Sequence, residues 1–217
     1  MTYTKNIRRR QSGFSLIELM VVIAIFVLVM GVATKGMLEL ERSSSTDVGK
    51  VDKTQEVRQF MDQIVNDIHS AGFPNSKIYD PASAPSQNNI AVGLVNVDAN
   101  SLQFEGDVDG SGNVSEVYLQ LVVPAAGCPC TLQRGTILKS QLGTGAVPYY
   151  TEVDSVMNQN IFSAFDFDGT AEALPVDVSR LLQVKSIGIT LNVRSTVPGV
   201  DGVLPTITMA SSAKINN

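Results

Sequence analysis

A long apolar segment near the N-terminus constrains this chain more than any other feature. It covers residues 14–34, follows a basic leader and contains one charged residue, Glu18, close to its start. As a helix, these 21 residues at about 1.5 Å each span about 32 Å, which matches the roughly 30 Å hydrocarbon core of a bilayer. We therefore predict that the segment is a transmembrane helix.

The leader indicates both an orientation and a processing site. Lys5 and the arginines at positions 8–10 precede the apolar segment, and such cations stay on the cytoplasmic side. A secretory signal has a shorter apolar core, of roughly 7–15 residues, with the small-residue cleavage site after it. Here the small-residue junction, Ser12-Gly13, comes first, so cleavage after Gly13 would leave the anchor on the mature protein. An uncleaved signal anchor is the alternative.

Glu18 is an unusual residue for a membrane helix. An ionised carboxylate there costs at least ~2.5 kcal/mol, so it usually has a function and a partner. Cleavage after Gly13 would create an ammonium group at Phe14, one helical turn away. We expect that amine, on this chain or on a neighbour, to be the partner of Glu18.

The sequence of residues 13–20, GFSLIELM, resembles the processing motif of type IV prepilins and type II secretion pseudopilins. The resemblance implies that a membrane prepilin peptidase cuts after Gly13 and methylates the new N-terminus at Phe14. It also implies that Glu18 pairs with the N-terminus of a neighbouring subunit during fibre assembly. The anchor differs from that of major pilins because it contains no proline.

Charge and motifs exclude several classes of function. Loss of the leader, which contains four cations, changes the formal net charge from −5 to −9, and an acidic protein does not favour nucleic acid as a partner. The sequence contains no phosphate-binding glycine motif, no Gly-x-Ser-x-Gly elbow and one histidine, His69. We do not predict an enzyme, and we interpret His69 as a packed or capping residue at a helix end.

Four segments follow from the patterns along the chain. Residues 1–13 are the cytoplasmic leader, 14–36 the transmembrane and assembly helix, 37–72 an extended amphipathic helix and 73–217 a β-rich head. The second helix carries one apolar stripe, is expected to loosen at residues 43–46, and ends at Gly72. We expect the stripe to pack on the sheet of the head, with an independent surface helix as the alternative. Its members are Val51, Val57, Phe60, Met61, Ile64, Val65 and Ile68, while Asp67 is assigned to the other face.

The head reads as short strands separated by turns, with loops at 79–89 and 143–150. The predicted fold class is α+β, with the long N-terminal helix packed on a C-terminal antiparallel β-sheet, as in pilins. The predicted strands cover residues 90–95, 102–105, 114–123, 131–138, 161–167, 184–194 and 204–209.

Two parts of the head resemble PilW-like minor pilins and J-type pseudopilins. One is the helix end at residues 67–73, DIHSAGF, where His69 replaces the usual arginine. The other is a pair of Asp-rich turns, at 107–110 and 165–169, each leading to a strand. The resemblance implies a minor pilin at or near the tip of a type IV pilus, held first in the inner membrane with its head outside the cytoplasm. A J-type pseudopilin and a pilus-associated adhesin are the alternatives. The chain ends Lys-Ile-Asn-Asn, where PilW-like proteins often end Arg-Asn.

The first Asp-rich turn also raises the question of calcium. Oxygen-bearing side chains recur at alternate positions, as in the first half of an EF-hand loop, but the twelfth position is Tyr118 and the nearest acid is two residues early. Calcium is one hypothesis, and a solvated turn without an ion is the other. The candidate ligands are Asp107, Asp109, Ser111, Asn113 and Glu116.

The two cysteines, Cys128 and Cys130, are separated by one proline. An exported head would meet an oxidising compartment, so a local disulfide is one hypothesis, with free or intermolecular thiols as the others. With a single histidine in the chain, we predict no zinc site.

Overall fold

The computed structural model describes residues 13, 15–75, 87–199 and 201–215. The leader up to residue 12, Phe14, most of the predicted 79–89 loop and the last two residues lie outside the described part. The chain divides into two compact units between residues 45 and 46, within the predicted 37–72 segment. The two units are described separately below.

A single helix, α1 (Leu16–His69), contributes to both units. We predicted that it would loosen at residues 43–46, and this was wrong. The Ser45 hydroxyl donates to the carbonyl of Arg42 at 2.9 Å, so this polar side chain adds a bond within the helix. The Thr46 hydroxyl donates to the carbonyl of Pro198, also at 2.9 Å. In the first unit, every residue from 16 to 42 is exposed.

The second unit consists of the remainder of α1 and one eight-stranded antiparallel sheet, with the order β1-β2-β3-β4-β5-β7-β6 and with β8 paired to β7. This confirms the predicted α+β, pilin-like fold. The strands are β1 (Leu94–Val97), β2 (Ser101–Gly106), β3 (Ser115–Val122), β4 (Cys130–Leu138), β5 (Tyr149–Val156), β6 (Phe162–Phe165), β7 (Ser186–Arg194) and β8 (Thr206–Lys214).

The core lies between α1 and the sheet, as the apolar stripe predicted. Five stripe residues on α1 are at most 4% exposed, Val65 is half-buried, and Val51 is the exception at 53% exposed. From the sheet, alternate residues of β3 and β7 face the same core. The five buried stripe residues are Val57, Phe60, Met61, Ile64 and Ile68.

The strand predictions missed β5 and misplaced several ends. Residues up to 150 were assigned to a loop, and the rest of β5 was not predicted, because only Val153 and Val156 of this strand are buried. A residue with positive φ, Ser155, and two register shifts against β4 further obscure its alternation. At the end of the chain, β8 continues five residues beyond the predicted 209, through small and polar side chains that bear no strand pattern.

Candidate assembly site

The described N-terminus begins α1 with Glu18 bound to the backbone. The carbonyl of Ser15 accepts the first helical bond from Leu19, and the Ser15 N–H donates to Glu18 Oε2 at 3.1 Å. This is half of a capping box, in which an acid at the third helical position satisfies a free amide at the helix start. Glu18 therefore has an intramolecular partner, the Ser15 amide. The Ser-x-x-Glu pattern at residues 15–18 is the sequence signature of this contact. Gly13 is exposed, and Phe14 lies outside the described residues, so cleavage and methylation stay predictions.

The anchor half of α1, residues 16–42, is apolar on all sides over residues 16–34, and all of its residues are exposed. Its most apolar window is 0% buried, and the helix is long and apolar enough to cross a membrane. The hydroxyl of Thr34, near the end of the apolar segment, bonds within the helix. It donates to the carbonyls of Met30 and Gly31 at 2.9 and 3.1 Å. So large an exposed apolar surface requires lipid or the helices of other subunits around it.

Two ion pairs join the second half of α1 to the sheet, and neither was predicted from the sequence. Arg134 on β4 donates two bonds to Asp67 Oδ2, at 2.8 and 3.1 Å, and the Asp67 side chain is 9% exposed. Lys53 is bound by Glu56 of the same helix and by Asp154 of β5. Asp67 was assigned to the outer face, but it lies beside Ile68 on the buried face. A carboxylate within an apolar stripe was the signal that a cationic partner must exist.

The surroundings of Asp67 disfavour its charged form, whereas those of Lys53 favour its charged form. Burial raises the pKa of Asp67, and the bonds from Arg134 offset only part of this effect. Glu152 on β5 behaves alike: burial raises its pKa, Arg134 opposes this and Asp67 adds to it. For Lys53, burial lowers the pKa, but the carboxylates of Asp154 and Glu56 outweigh burial, and the pKa is raised.

The end of α1 is docked onto β2 beside the first Asp-rich turn. The Gly72 N–H donates to the carbonyl of Glu105 at 2.9 Å, and the Asp107 N–H donates to the carbonyl of Phe73 at 2.9 Å. Gly106 lies so close that a Cβ there would meet the Ser70 carbonyl oxygen at 2.5 Å. The helix end at 67–73 and the turn at 107–110, which both resemble segments of PilW-like proteins, therefore form one joint. Gly106 is required for it.

In the candidate calcium loop, the backbone donates to one oxygen of each of the two acids. The Gly112 N–H donates to Asp107 Oδ2 at 2.9 Å, and the Ser111 N–H donates to Asp109 Oδ1 at 3.0 Å. The bonds from Ser111 lower the pKa of Asp109, and Asn113 also bonds Ser111. Asp107 Oδ1 is buried without a hydrogen-bond partner.

Glu116, the acid that calcium would need from the next strand, is engaged elsewhere. It is 5% exposed on β3, where it accepts a bond from Gln103 of β2. Burial and a bond to the Glu116 carboxylate raise the pKa of Tyr118 to about 12. Within the described residues, no group of three or more His, Cys, Asp and Glu side chains is placed to hold a metal ion. Calcium binding stays a hypothesis, and it requires Glu116 to leave Gln103.

The two cysteines and the histidine complete the set of residues singled out in the sequence. Cys128 and Cys130 are joined by a disulfide, with 4.4 Å between their Cα atoms, at the start of β4. His69 is the last residue of α1 and is exposed, so it is not a packed residue. A helix C-terminus favours a cation there by about 0.3–1 kcal/mol.

Comparison with known proteins identifies the N-terminal segment. Residues 8–34 match the family model of the prokaryotic N-terminal methylation motif, which covers the three leader arginines, Gly13, Phe14 and Glu18. No curated protein and no solved structure matches the chain. The motif indicates processing by prepilin peptidase and a structural subunit that assembles with other pilins. Together with the exposed apolar helix and the antiparallel head, the match supports assignment to the class of type IV prepilins and pseudopilins.

Proposed function

We propose that this chain is a minor pilin, similar to PilW-like subunits, that is incorporated at or near the tip of a type IV pilus and supports its assembly. Prepilin peptidase would cut after Gly13 and methylate Phe14. Before assembly the protein would lie in the bacterial inner membrane as a single-pass subunit with its head outside the cytoplasm.

The observation that carries this proposal is the anchor half of α1. It exposes an all-round apolar surface over residues 16–34, interrupted at its start by the carboxylate of Glu18. Lipid can cover that surface in the membrane, and the helices of neighbouring subunits can cover it in a fibre. Movement between these two environments needs no chemistry by the head, only a helix that is compatible with both.

Glu18 supplies the selectivity of the assembly step in this proposal. In the described structure its carboxylate accepts one bond, from the Ser15 N–H at 3.1 Å. One amide bond leaves acceptor capacity on a carboxylate, which has about four lone-pair sites. An incoming subunit's methylated amine could use that capacity, and the ion pair would be strong because apolar helices exclude water from it. Register along the fibre would then be set by this pairing.

The joint between the end of α1 and the first Asp-rich turn supports the finer assignment to a PilW-like subunit. The helix end at 67–73 and the turn at 107–110 resemble those of PilW-like proteins, and they are bonded to each other through Phe73 and Asp107. J-type pseudopilins share both features, so a type II secretion pseudopilus is the second candidate. A pilus-associated adhesin would add a ligand-binding role to the same assembly.

The deciding experiment is a clean deletion of the gene, scored in the same cultures for surface pili and for secreted proteins, with a plasmid copy as the control. Loss of pili with normal secretion is the result we expect. Normal pili with exoproteins trapped in the periplasm would reject the pilus and favour the secretion pseudopilus. Normal pili that no longer attach to surfaces would favour the adhesin.

A further inference from the structure

The outer edge of β8 is an unusually open sheet edge. On its inner side β8 pairs with β7 over nine consecutive residues without a register shift, and no described strand pairs with its outer side. The Ile215 N–H donates to Lys185, and the Pro205 carbonyl accepts from Ser195. Odd-numbered residues of β8 therefore face β7, and the even-numbered ones direct their N–H and C=O groups outward.

Edges of this kind are normally protected by proline, charge or a bulge, because they attract other strands. Within β8 there is no proline, no bulge and no charge before Lys214. The opposite edge of the sheet is protected: β1 has only four residues and a register shift, and the Val176 N–H donates to its Val97 carbonyl at 2.9 Å. One edge is closed, and the other is left available to a partner.

An open pocket of about 420 Å³ lies where β8 ends, and two lysines line it. Among the described residues of the second unit, Lys53, Arg134, Lys139 and Arg180 each have a carboxylate partner, whereas Lys185 and Lys214 have none. We call this site, lined by Lys185, Lys214 and the exposed Phe167, the lysine pocket.

One carboxylate, Asp166, also lines the lysine pocket, but its bonds are used by the turn that follows. Asp166 Oδ1 accepts from the N–H groups of Asp168 and Thr170, both at 2.9 Å. Two ammonium groups that no described carboxylate pairs with, in a protein of net charge −5, form a local cationic site on an acidic background. Such a site is complementary to an acidic partner.

We propose that the β8 edge and the lysine pocket together form a docking site for an extended acidic segment of another polypeptide. The segment would add to the sheet as a further strand, with its backbone bonded to the even-numbered residues of β8. The lysine pocket would receive a carboxylate at one end of that strand. A polypeptide is favoured because an edge of free N–H and C=O groups is satisfied only by another backbone. The proposal uses residues of the head alone and does not depend on the proposed role of Glu18.

The test uses the full-length protein in nonionic detergent micelles and a fluorescein-labelled dodecapeptide of alternating threonine and glutamate. Binding is measured by fluorescence anisotropy at low ionic strength. We expect the double variant Lys185→Ala/Lys214→Ala to bind about tenfold more weakly than the wild type. The matched variant Lys50→Ala/Arg58→Ala removes the same charge from α1 and should bind within about twofold of the wild type. Equal loss in both variants would mean a general charge effect and would overturn the proposal, as would no binding to the wild type.

A second probe tests strand addition without changing the protein. The same peptide with N-methyl groups on alternate backbone nitrogens keeps its charge but cannot donate to the β8 edge. We expect about tenfold weaker binding. On the protein side, Ala210→Pro removes an outward N–H, which an edge strand tolerates, while Ala210→Val keeps it. Unchanged affinity of the methylated peptide would overturn strand addition. Tight binding of a threonine–lysine peptide would overturn the preference for an acidic segment.

Discussion

The two halves of α1 have the same backbone conformation but opposite surroundings. From residue 16 to 42 every side chain is exposed, and apolar residues occur on all faces. From Thr46 to His69 a single apolar stripe is buried against the sheet, with Ile64 and Ile68 at 0% exposure. The first half leaves its apolar surface for something outside the chain to cover, whereas the second half finds its cover within the chain. A helix can therefore be part of a folded head and still present an assembly surface.

The acids of the two halves differ in the same way. Asp67 has a full ionic partner on the sheet, Arg134, with its side chain 9% exposed. Glu18 has only the amide of Ser15 within the described residues. The predictions below test this contrast, beginning with the largest expected effect.

Gly13→Ala should abolish maturation, because the proposed peptidase cuts at the Gly13-Phe14 bond and requires the glycine before it. The measurement is the mass of the membrane-bound protein, which should retain the 13-residue leader and no N-methyl group. Gly31→Ala, in the middle of the anchor, is the matched control and should mature normally. A correctly shortened Gly13→Ala product would refute the cleavage assignment.

Glu18→Ala should leave membrane insertion intact but reduce the amount of subunit in sheared fibres by about tenfold, equivalent to about 1.4 kcal/mol of lost pairing. Charge pairing between apolar helices is worth more than in water, so the effect should be at least this large. Glu39→Ala, which removes an exposed acid from the same helix, is the control. Wild-type amounts of Glu18→Ala in fibres would contradict the pairing model.

Phe60→Ala and Phe26→Ala make the same deletion in the two halves of α1. Phe60 is 3% exposed and Phe26 is 58% exposed. Phe60→Ala should lower the free energy of unfolding of the head by about 3–5 kcal/mol, and Phe26→Ala should leave it unchanged. Urea unfolding in detergent, followed by circular dichroism, measures both. Equal losses would mean that the two halves do not differ in packing as described.

Arg134→Met should destabilise the head by about 3 kcal/mol at neutral pH, because it leaves Asp67 charged and buried without a partner. The raised pKa of Asp67 means that protonation favours the folded state, so the loss should shrink as the pH falls through that pKa. Adding Asp67→Asn should recover part of the stability at pH 7. A loss that is independent of pH and is not rescued would show that Arg134 acts by packing alone.

Glu152→Gln should have the smallest effect, a gain of less than about 1 kcal/mol at neutral pH. Its raised pKa means that its favourable contribution exists below the unfolded-state pKa and is lost as the pH rises through the folded value. The melting temperatures of variant and wild type should therefore differ at pH 7 and converge in acid. Destabilisation at pH 7 would mean that the attraction to Arg134 outweighs burial.

Local patterns in the sequence were sufficient for the anchor, the stripe on α1 and most strands. These features depend on residues that repeat every two, three or four positions, so that burial is visible in the spacing. Strand β7 is such a case, with Ile187, Ile189 and Leu191 buried in alternation. In contrast, β5 buries only Val153 and Val156, so its spacing carried too little information.

The sequence by itself determined that this chain has a basic leader, an apolar helix with one carboxylate, and an antiparallel head, because each is written in neighbouring residues. Only the tertiary structure decided that Asp67 meets Arg134 across 67 positions, that Lys53 meets Asp154, and that Lys185 and Lys214 share an open pocket. Such pairings depend on which strands lie beside each other. A charge can be recognised from the sequence, but its partner is chosen by the fold.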